Sequence, residues 1–400
     1  MSDADELRAA FANGSLLRPV DDSPTIVDLA RAVAQIAGVA TLDSTRDSRT
    51  LADLIGPSDH LIFVVVDGLG QRIVDQLPQD SFLASHQVAE LRTVFPSTTA
   101  TVLTSIATGV WPNSHGVTGW WTHLDEIGGA AVLLQFVKRS DGEALSDLGV
   151  TPEKVFPWPS IPSLVPRNTL VALPERIAGS TYSKYITGDR DILGYKSLPA
   201  AIEAIALRLR SAREPTYTYL YTHRLDTAAH AYGARHQEVR SALHELDRLL
   251  ESLFHQVAGL GRIAISADHG FLDVAGGSKH QIRNTDPLLD WLSFPPSGDA
   301  RVLYLHAKDG TATRIRQRFR DRFGDRFLVI TVDDAEDLEL FGPGPLSAVT
   351  RSRIGDLIAI SRGSDVIEYR PVRGEGKIIS QASHHSGLTP DEMLVPLIVA

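Results

Sequence analysis

The most constraining feature of this chain is the run Leu61-Ile-Phe-Val-Val-Val66, which stops abruptly at Asp67-Gly68. Six consecutive apolar residues lack the alternation of a strand with one wet face. The run predicts a strand buried on both faces, the kind found inside mostly parallel sheets covered by helices. The same grammar recurs downstream. Tyr217-Thr-Tyr-Leu-Tyr221 is rich in strand formers and is followed by a helix beginning near Asp226. A long helical pattern from Gln237 to Val257 precedes Arg262-Ile-Ala-Ile-Ser266, which ends at Asp268-His269-Gly270. An amphipathic helix is predicted over 26–37 and a shorter one over 71–77. Strands alternating with helices predict an α/β fold with a central, mostly parallel sheet flanked by helices. The whole of 1–400 reads as one domain. The less regular spans 120–215 and 275–350 read as cap or insertion segments within it.

Charge and residue usage narrow the chemistry. The chain has 39 basic and 49 acidic side chains, a net charge of −10, which argues against a long polyanion such as duplex DNA as partner. A small phosphate ester stays open, because bound cations can reverse the local field. There is no cysteine, which excludes disulfides, a thiol nucleophile, thiolate-held zinc and iron–sulfur clusters. The opening residues are acidic with no apolar h-region, and no apolar run approaches the ~18–20 residues of a membrane span. The expectation is a cytoplasmic protein with no membrane partner.

Acidic and imidazole side chains sit where the apolar strands end, and in open α/β sheets ligands bind beyond the carboxyl ends of strands. Asp67 follows the first such strand, Asp268 and His269 another. Asp226 and His230, four apart, share a helix face. His384 and His385 lie in a polar loop before the apolar stretch 394–399. Each alone is a common turn or surface pattern. Together they form a set of oxygen and nitrogen donors suited to zinc, manganese or iron. In Phe95-Pro-Ser-Thr-Thr-Ala-Thr101 the following apolar periodicity places Thr98 and Thr99 at a helix N-terminus. That is an ordinary capping position, and also one where backbone N–H groups favour an anion.

These motifs resemble the alkaline phosphatase superfamily, most closely its type I phosphodiesterase/nucleotide pyrophosphatase branch. The matching segments are Val64-Val-Val-Asp-Gly-Leu-Gly70, Phe95–Thr101, Ala107-Thr-Gly109, Pro112-Asn-Ser-His-Gly116, Asp226-Thr-Ala-Ala-His230, Ser266-Ala-Asp-His-Gly270 and Ser383-His-His-Ser-Gly-Leu388. The resemblance implies an alkaline phosphatase-like fold and two divalent metal ions, zinc or alternatively manganese. One would be held by Asp67, Asp268, His269 and the nucleophile oxygen, the other by Asp226, His230 and a late histidine. In the superfamily the nucleophile lies ten positions before the glycine of the Thr-Gly pair, which selects Thr99, and the residues after the late ligand select His385. The implied activity is hydrolysis of a small phosphodiester or nucleotide pyrophosphate through a phospho-threonine. A phosphomonoesterase on the same fold and a non-catalytic metal- or ligand-binding member are the alternatives. The branch carries an Asn shortly after the His-Gly pair. Here Val117-Thr-Gly-Trp-Trp121 follows instead, so Trp120 and Trp121 become candidates for the pocket wall or for the core.

Overall fold

The computed structural model describes residues 2–370 and 381–400. The apolar run forms the centre of a seven-stranded sheet. In chain order its strands are His60–Val66 (β1), Gln87–Arg92 (β2), Asn168–Pro174 (β3), Asp191–Tyr195 (β4), Thr216–Thr222 (β5), Arg262–Ser266 (β6) and Leu394–Val399 (β7). They lie in the order β2-β7-β6-β1-β5-β3-β4. The pairings of β1 with β5 and β6, and of β3 with β4 and β5, are parallel, whereas β7 runs antiparallel to both β2 and β6. The sheet is therefore mostly parallel. Its register matters for function: Val65 pairs with Tyr221 on one side and Ser266 on the other. The carboxyl ends of β1, β5 and β6 are thereby level, which brings the residues after all three strands to one edge.

Leu61 to Val66 are all buried, as the unbroken apolar run requires. The covering helices include Ile26–Ile36 (α1), which packs on Thr99–Thr108 (α2). Gln237–Val257 (α4) packs on Arg224–Tyr232 (α3) and on the helix Leu198–Ser211. Apolar side chains of β1, β5, β6 and these helices join in one core. No helix among the described residues is long and apolar enough to cross a membrane.

A second seven-stranded sheet stands beside the first. Its strands follow the order Phe327–Thr331, Leu357–Ser361, Val302–Leu305, Ser297–Gly298, Trp121–Leu124, Gly129–Val132 and Val137–Lys138, every neighbouring pair antiparallel. Successive residues alternate between two cores. Val302, Tyr304, Ile358 and Ile360 enter one, with Phe95 and Met393. Leu303, Leu305, Leu357 and Ala359 enter the other, with Phe319 and Phe323. This is the two-residue period of a sheet covered on both sides.

The expected insertions are corrected by this topology. The span 120–215 does not lie wholly outside the central sheet. Residues 121–138 join the second sheet, but Asn168–Pro174 and Asp191–Tyr195 are β3 and β4 of the first. The span 275–350 is not a self-contained insertion either, because its strands pair with Trp121–Leu124 and Leu357–Ser361. The helix expected over 71–77 is shorter, Gln71–Val74.

Candidate functional site

Three loops converge at the level strand ends, and glycines let them do so. Gly68 has φ of +78°, and a Cβ there would meet the Phe271 ring at 2.4 Å. A Cβ on Gly70 would lie 2.3 Å from the Cα of Gly270. The loops that carry Asp67 and Asp268-His269 are thus in backbone contact, a separation only glycine permits. Asp268 fixes the arrangement further, since one oxygen accepts from the Gly68 N–H at 3.0 Å and from the His269 N–H at 2.9 Å.

At this edge the structure gathers all seven residues singled out in the sequence. His269 Nε2 lies 3.4 Å from Asp67 Oδ1, 3.4 Å from Asp268 Oδ2 and 3.2 Å from Thr99 Oγ1. His230 Nε2 lies 3.3 Å from Asp226 Oδ1 and 3.2 Å from His385 Nε2. Two triplets present donor atoms within 4.8 Å of one another: Asp226, His230 and His385, and Asp67, Asp226 and His269. Asp226 belongs to both, whereas the family pattern places it in one. Thr98 is the N-cap of α2 but does not cap through its side chain. Its hydroxyl donates to Asp299 at 2.8 Å, leaving Thr99 as the threonine beside His269.

The backbone orients each imidazole. Nδ1 of His230 lies 2.9 Å from the Ser383 carbonyl, that of His385 3.0 Å from the Ser97 carbonyl, and that of His269 3.1 Å from the Gly270 carbonyl. With Nδ1–H donating to a carbonyl, Nε2 of a neutral ring carries its lone pair into the site, the arrangement that prepares a histidine for a cation. Two such lone pairs facing each other at 3.2 Å, as in His230 and His385, have no hydrogen between them.

The carboxylates make the same point. Asp67 Oδ1, Asp226 Oδ1 and Asp268 Oδ2 are buried without a hydrogen-bond partner. Burial, and after it the charges of Asp226 and Asp268, push the Asp67 carboxyl well above its ordinary range; burial also raises Asp268. Burial, reinforced by His269 and His230, holds His385 well below the ordinary imidazole range. Burial would also lower His230, but the adjacent Asp226 carboxylate outweighs it and leaves that ring raised. Buried polar atoms without partners are costly, and carboxylates this close repel. A divalent cation relieves both, so the donor set fits two such ions.

The late histidine is braced from the second sheet. Arg301, fully buried, grips Glu392 through two contacts of 2.6 and 3.0 Å. Glu392 also accepts from the Gly387 N–H at 2.7 Å, and Ser97 Oγ donates to the Gly387 carbonyl at 2.8 Å. Between them Ser386 sits at φ +104°, a sparsely populated conformation for a residue with a side chain. Ser97, Arg301 and Glu392 escaped the sequence reading, as did Tyr221, whose hydroxyl donates to Asp67 at 2.5 Å. Only Glu392 left a signal, a Thr389-x-x-Glu392 capping box, which says nothing of Arg301.

Thr99, Asp67, Asp226, His230 and His385 open onto a cavity of about 950 Å³, with Asp268 and His269 behind them. Trp120 and Trp121 are half-buried in its wall, and the Arg139 guanidinium covers the Trp121 ring at 3.7 Å. Thr98, Thr227 and His384 of the motifs also line it, whereas the Pro112–Gly116 motif does not. His115 is buried behind α2 against Ser105 Oγ at 2.9 Å, and Asn113 donates to the Pro343 carbonyl at 2.8 Å. Arg72 pairs with Asp391 at 3.2 Å and Arg92 with Asp21, both away from the cavity.

With this geometry in hand, known proteins supply a context. The model of the family described as type I phosphodiesterase / nucleotide pyrophosphatase matches residues 61–384. No curated protein matches the chain in sequence. Among solved structures, human ectonucleotide pyrophosphatase/phosphodiesterase 5 is similar at 15% identity, covering 85% of this chain and 87% of that one, with a TM-score of 0.62. An inactive variant of its murine counterpart, in complex with AMP, is similar at 14% identity, 84% and 87% coverage and a TM-score of 0.61. Phosphonoacetate hydrolase from Sinorhizobium meliloti, in complex with phosphonoformate, is similar at 21% identity, 84% and 89% coverage and a TM-score of 0.58. At these identities the three structures establish a shared fold.

Proposed function

The chain belongs to the type I phosphodiesterase/nucleotide pyrophosphatase family, and on that premise we propose that it hydrolyses small phosphodiesters or nucleotide pyrophosphates through a phospho-threonine at Thr99. The observation that carries this reading is the set of partnerless carboxylate oxygens and inward-facing Nε2 atoms grouped around one threonine hydroxyl. Asp67, Asp268 and His269, with Thr99, would hold one divalent ion, and Asp226, His230 and His385 the other, with Asp226 falling within reach of both donor groups. Zinc fits this oxygen–nitrogen set, with manganese the alternative. When bound, such ions lower the pKa of a coordinated hydroxyl or water and neutralise charge on a leaving oxygen.

The remaining work falls to the chain. Thr99 Oγ1 attacks phosphorus, and the bond to the leaving oxygen breaks as the new one forms. Water then attacks the phospho-threonine and returns the free hydroxyl. The N-terminus of α2 points partial positive charge at the transferring group, and the tryptophan wall offers an apolar face to the leaving group. The similar murine protein was solved with AMP, which favours a nucleotide-sized substrate, and a cavity of about 950 Å³ has room for one.

Thr99→Ala tests the reading. With zinc or manganese supplied, the wild type is expected to cleave bis(p-nitrophenyl) phosphate. The variant should lose at least ~10³-fold in kcat/KM, because positioning and nucleophilic attack are both removed, yet keep close to its normal metal content. A phosphorylated Thr99 peptide should be recovered after acid quenching of the wild type. Full activity in the variant would end the assignment.

A further inference from the structure

The cavity holds one acidic group that the reading above does not use. Asp299 lies in the loop between the strands Ser297–Gly298 and Val302–Leu305 and lines the same cavity as Thr99. Its carboxylate accepts from Thr98 Oγ1 at 2.8 Å, from the Ala300 N–H at 2.8 Å, and from the Trp120 N–H. Burial raises the pKa of this carboxyl, while the three hydrogen bonds it accepts favour its ionised form. Thr98 is the residue before the proposed nucleophile, so this fixed negative charge is anchored one residue from the point of attack.

Among the described residues, the arginines of the cavity have other partners. Arg139 donates to the carbonyls of Pro296 at 3.0 Å and Tyr369 at 2.8 Å, and its guanidinium lies over Trp121. Arg176 is bonded to His223, and Arg370 pairs with Glu368 at 3.3 Å. No lysine lines the cavity among the described residues. Among the described residues none of these arginines forms an ion pair with Asp299, so the wall beside Thr98 carries a carboxylate without a paired cation. A phosphodiester brings one negative charge and a monoester near neutral pH brings close to two. The extra charge is disfavoured beside a carboxylate in a partly desolvated site.

Resting on the phosphoester reading, we propose that Asp299 is a specificity-determining residue, which holds the site to singly charged phosphodiesters by repelling doubly charged monoesters. A purely structural Asp299 would tie the second sheet to the start of α2 and leave substrate preference alone. Asp299→Asn separates the two roles, because its amide oxygen still accepts from Thr98 while the charge is gone.

The test compares kcat/KM for bis(p-nitrophenyl) phosphate and p-nitrophenyl phosphate in metal-loaded wild type and variant, together with inhibition by inorganic phosphate. The wild type is expected to favour the diester. In the variant the monoester-to-diester ratio should rise by about tenfold or more, as removal of a nearby like charge implies, with a tighter inhibition constant for phosphate. Asp299→Ser, small and uncharged, should shift the ratio the same way and serves if the amide variant is unstable. A wild type that prefers the monoester, or an unchanged ratio in both folded variants of a working diesterase, would overturn this inference while leaving the reaction class standing. A wild type that cleaves no ester would instead strike the reading beneath it.

Discussion

The two donor clusters beside Thr99 share Asp226 but rest on different supports. Asp67, Asp268 and His269 stand at the ends of β1 and β6, adjacent parallel strands in register. Their side chains are between 0 and 3% exposed. The sheet itself sets their separation, and glycine contacts close the remaining gap. His230 and Asp226, 19% and 17% exposed, lie one turn apart on the short helix α3, while His385 sits in a loop beside a strained Ser386. That cluster is aligned by side-chain bonds through Ser97, Glu392 and Arg301. A position set by strand register needs no tether. A position set by a loop needs a buried polar network, and through that network a residue of the second sheet reaches the site.

The sharpest way to break this contrast is to remove a carboxylate from the strand-borne cluster. Asp67→Asn should lower turnover at least ~10³-fold, the several kcal/mol attributed to a correctly held metal ion. Because burial and like charges already push the Asp67 carboxyl up, the metal-free variant should unfold no more easily than wild type, or less. Steady-state kinetics set beside a urea melt would show this, and a large loss of stability would contradict a cluster held by sheet register.

Glu392→Gln probes the other support. It leaves the Arg301 guanidinium buried without its anion, so unfolding should become easier by about 3–5 kcal/mol. In the protein that still folds, calorimetric zinc titration should show one of two sites weakened about 10–100-fold, as for a lost orienting partner, with the other nearly unchanged. Equal weakening of both would mean the clusters are not independently supported.

The smallest effect concerns His115, behind the helix that presents Thr99. Burial, with the Arg353 charge, holds its pKa at about 3, against 6.5 for an unperturbed imidazole. As pH falls through 6.5 the unfolded chain takes up a proton that the folded one refuses. Its contribution is therefore complete above pH 6.5 and is lost below it at ~1.4 kcal/mol per pH unit. His115→Gln should reduce the pH dependence of unfolding between pH 5 and 6.5 by about one proton, measured by denaturant titrations across that range; an unchanged slope would count against the assignment.

Legibility in the sequence followed the range of the forces involved. β1, β5, β6 and α4 announce themselves because burial on one or both faces leaves a local period. β3 is a short apolar run inside a proline-rich span, and β4, Asp191-Ile-Leu-Gly-Tyr195, is a largely exposed edge with no alternation. The second sheet draws short strands from segments far apart, so no window contains its pattern. In the site, Asp67, Asp226, Asp268 and His269 were readable because they follow strands or open a helix. Thr98 and Thr99 lie in a single turn, and the partners that separate their surroundings, Asp299 for Thr98 and His269 for Thr99, lie 201 and 170 residues away. Arg301 is 91 residues from Glu392, and such pairings leave no trace in either neighbourhood.

β7 has a bearing on how the molecule is assembled. It lies between β2 and β6, pairing with strands roughly 300 and 130 residues earlier in the chain. Loops of that length close slowly, and a topology dominated by distant pairings folds on the millisecond-to-second side of the range. The docking of β7 seats Glu392, draws His385 toward His230, and completes the wall beside Asp268. Before that strand is in place the residues of the second cluster are separate donors on separate segments. Assembly of this donor cluster is therefore a late event in folding, and a metal titration during refolding would test whether it follows the insertion of that single strand.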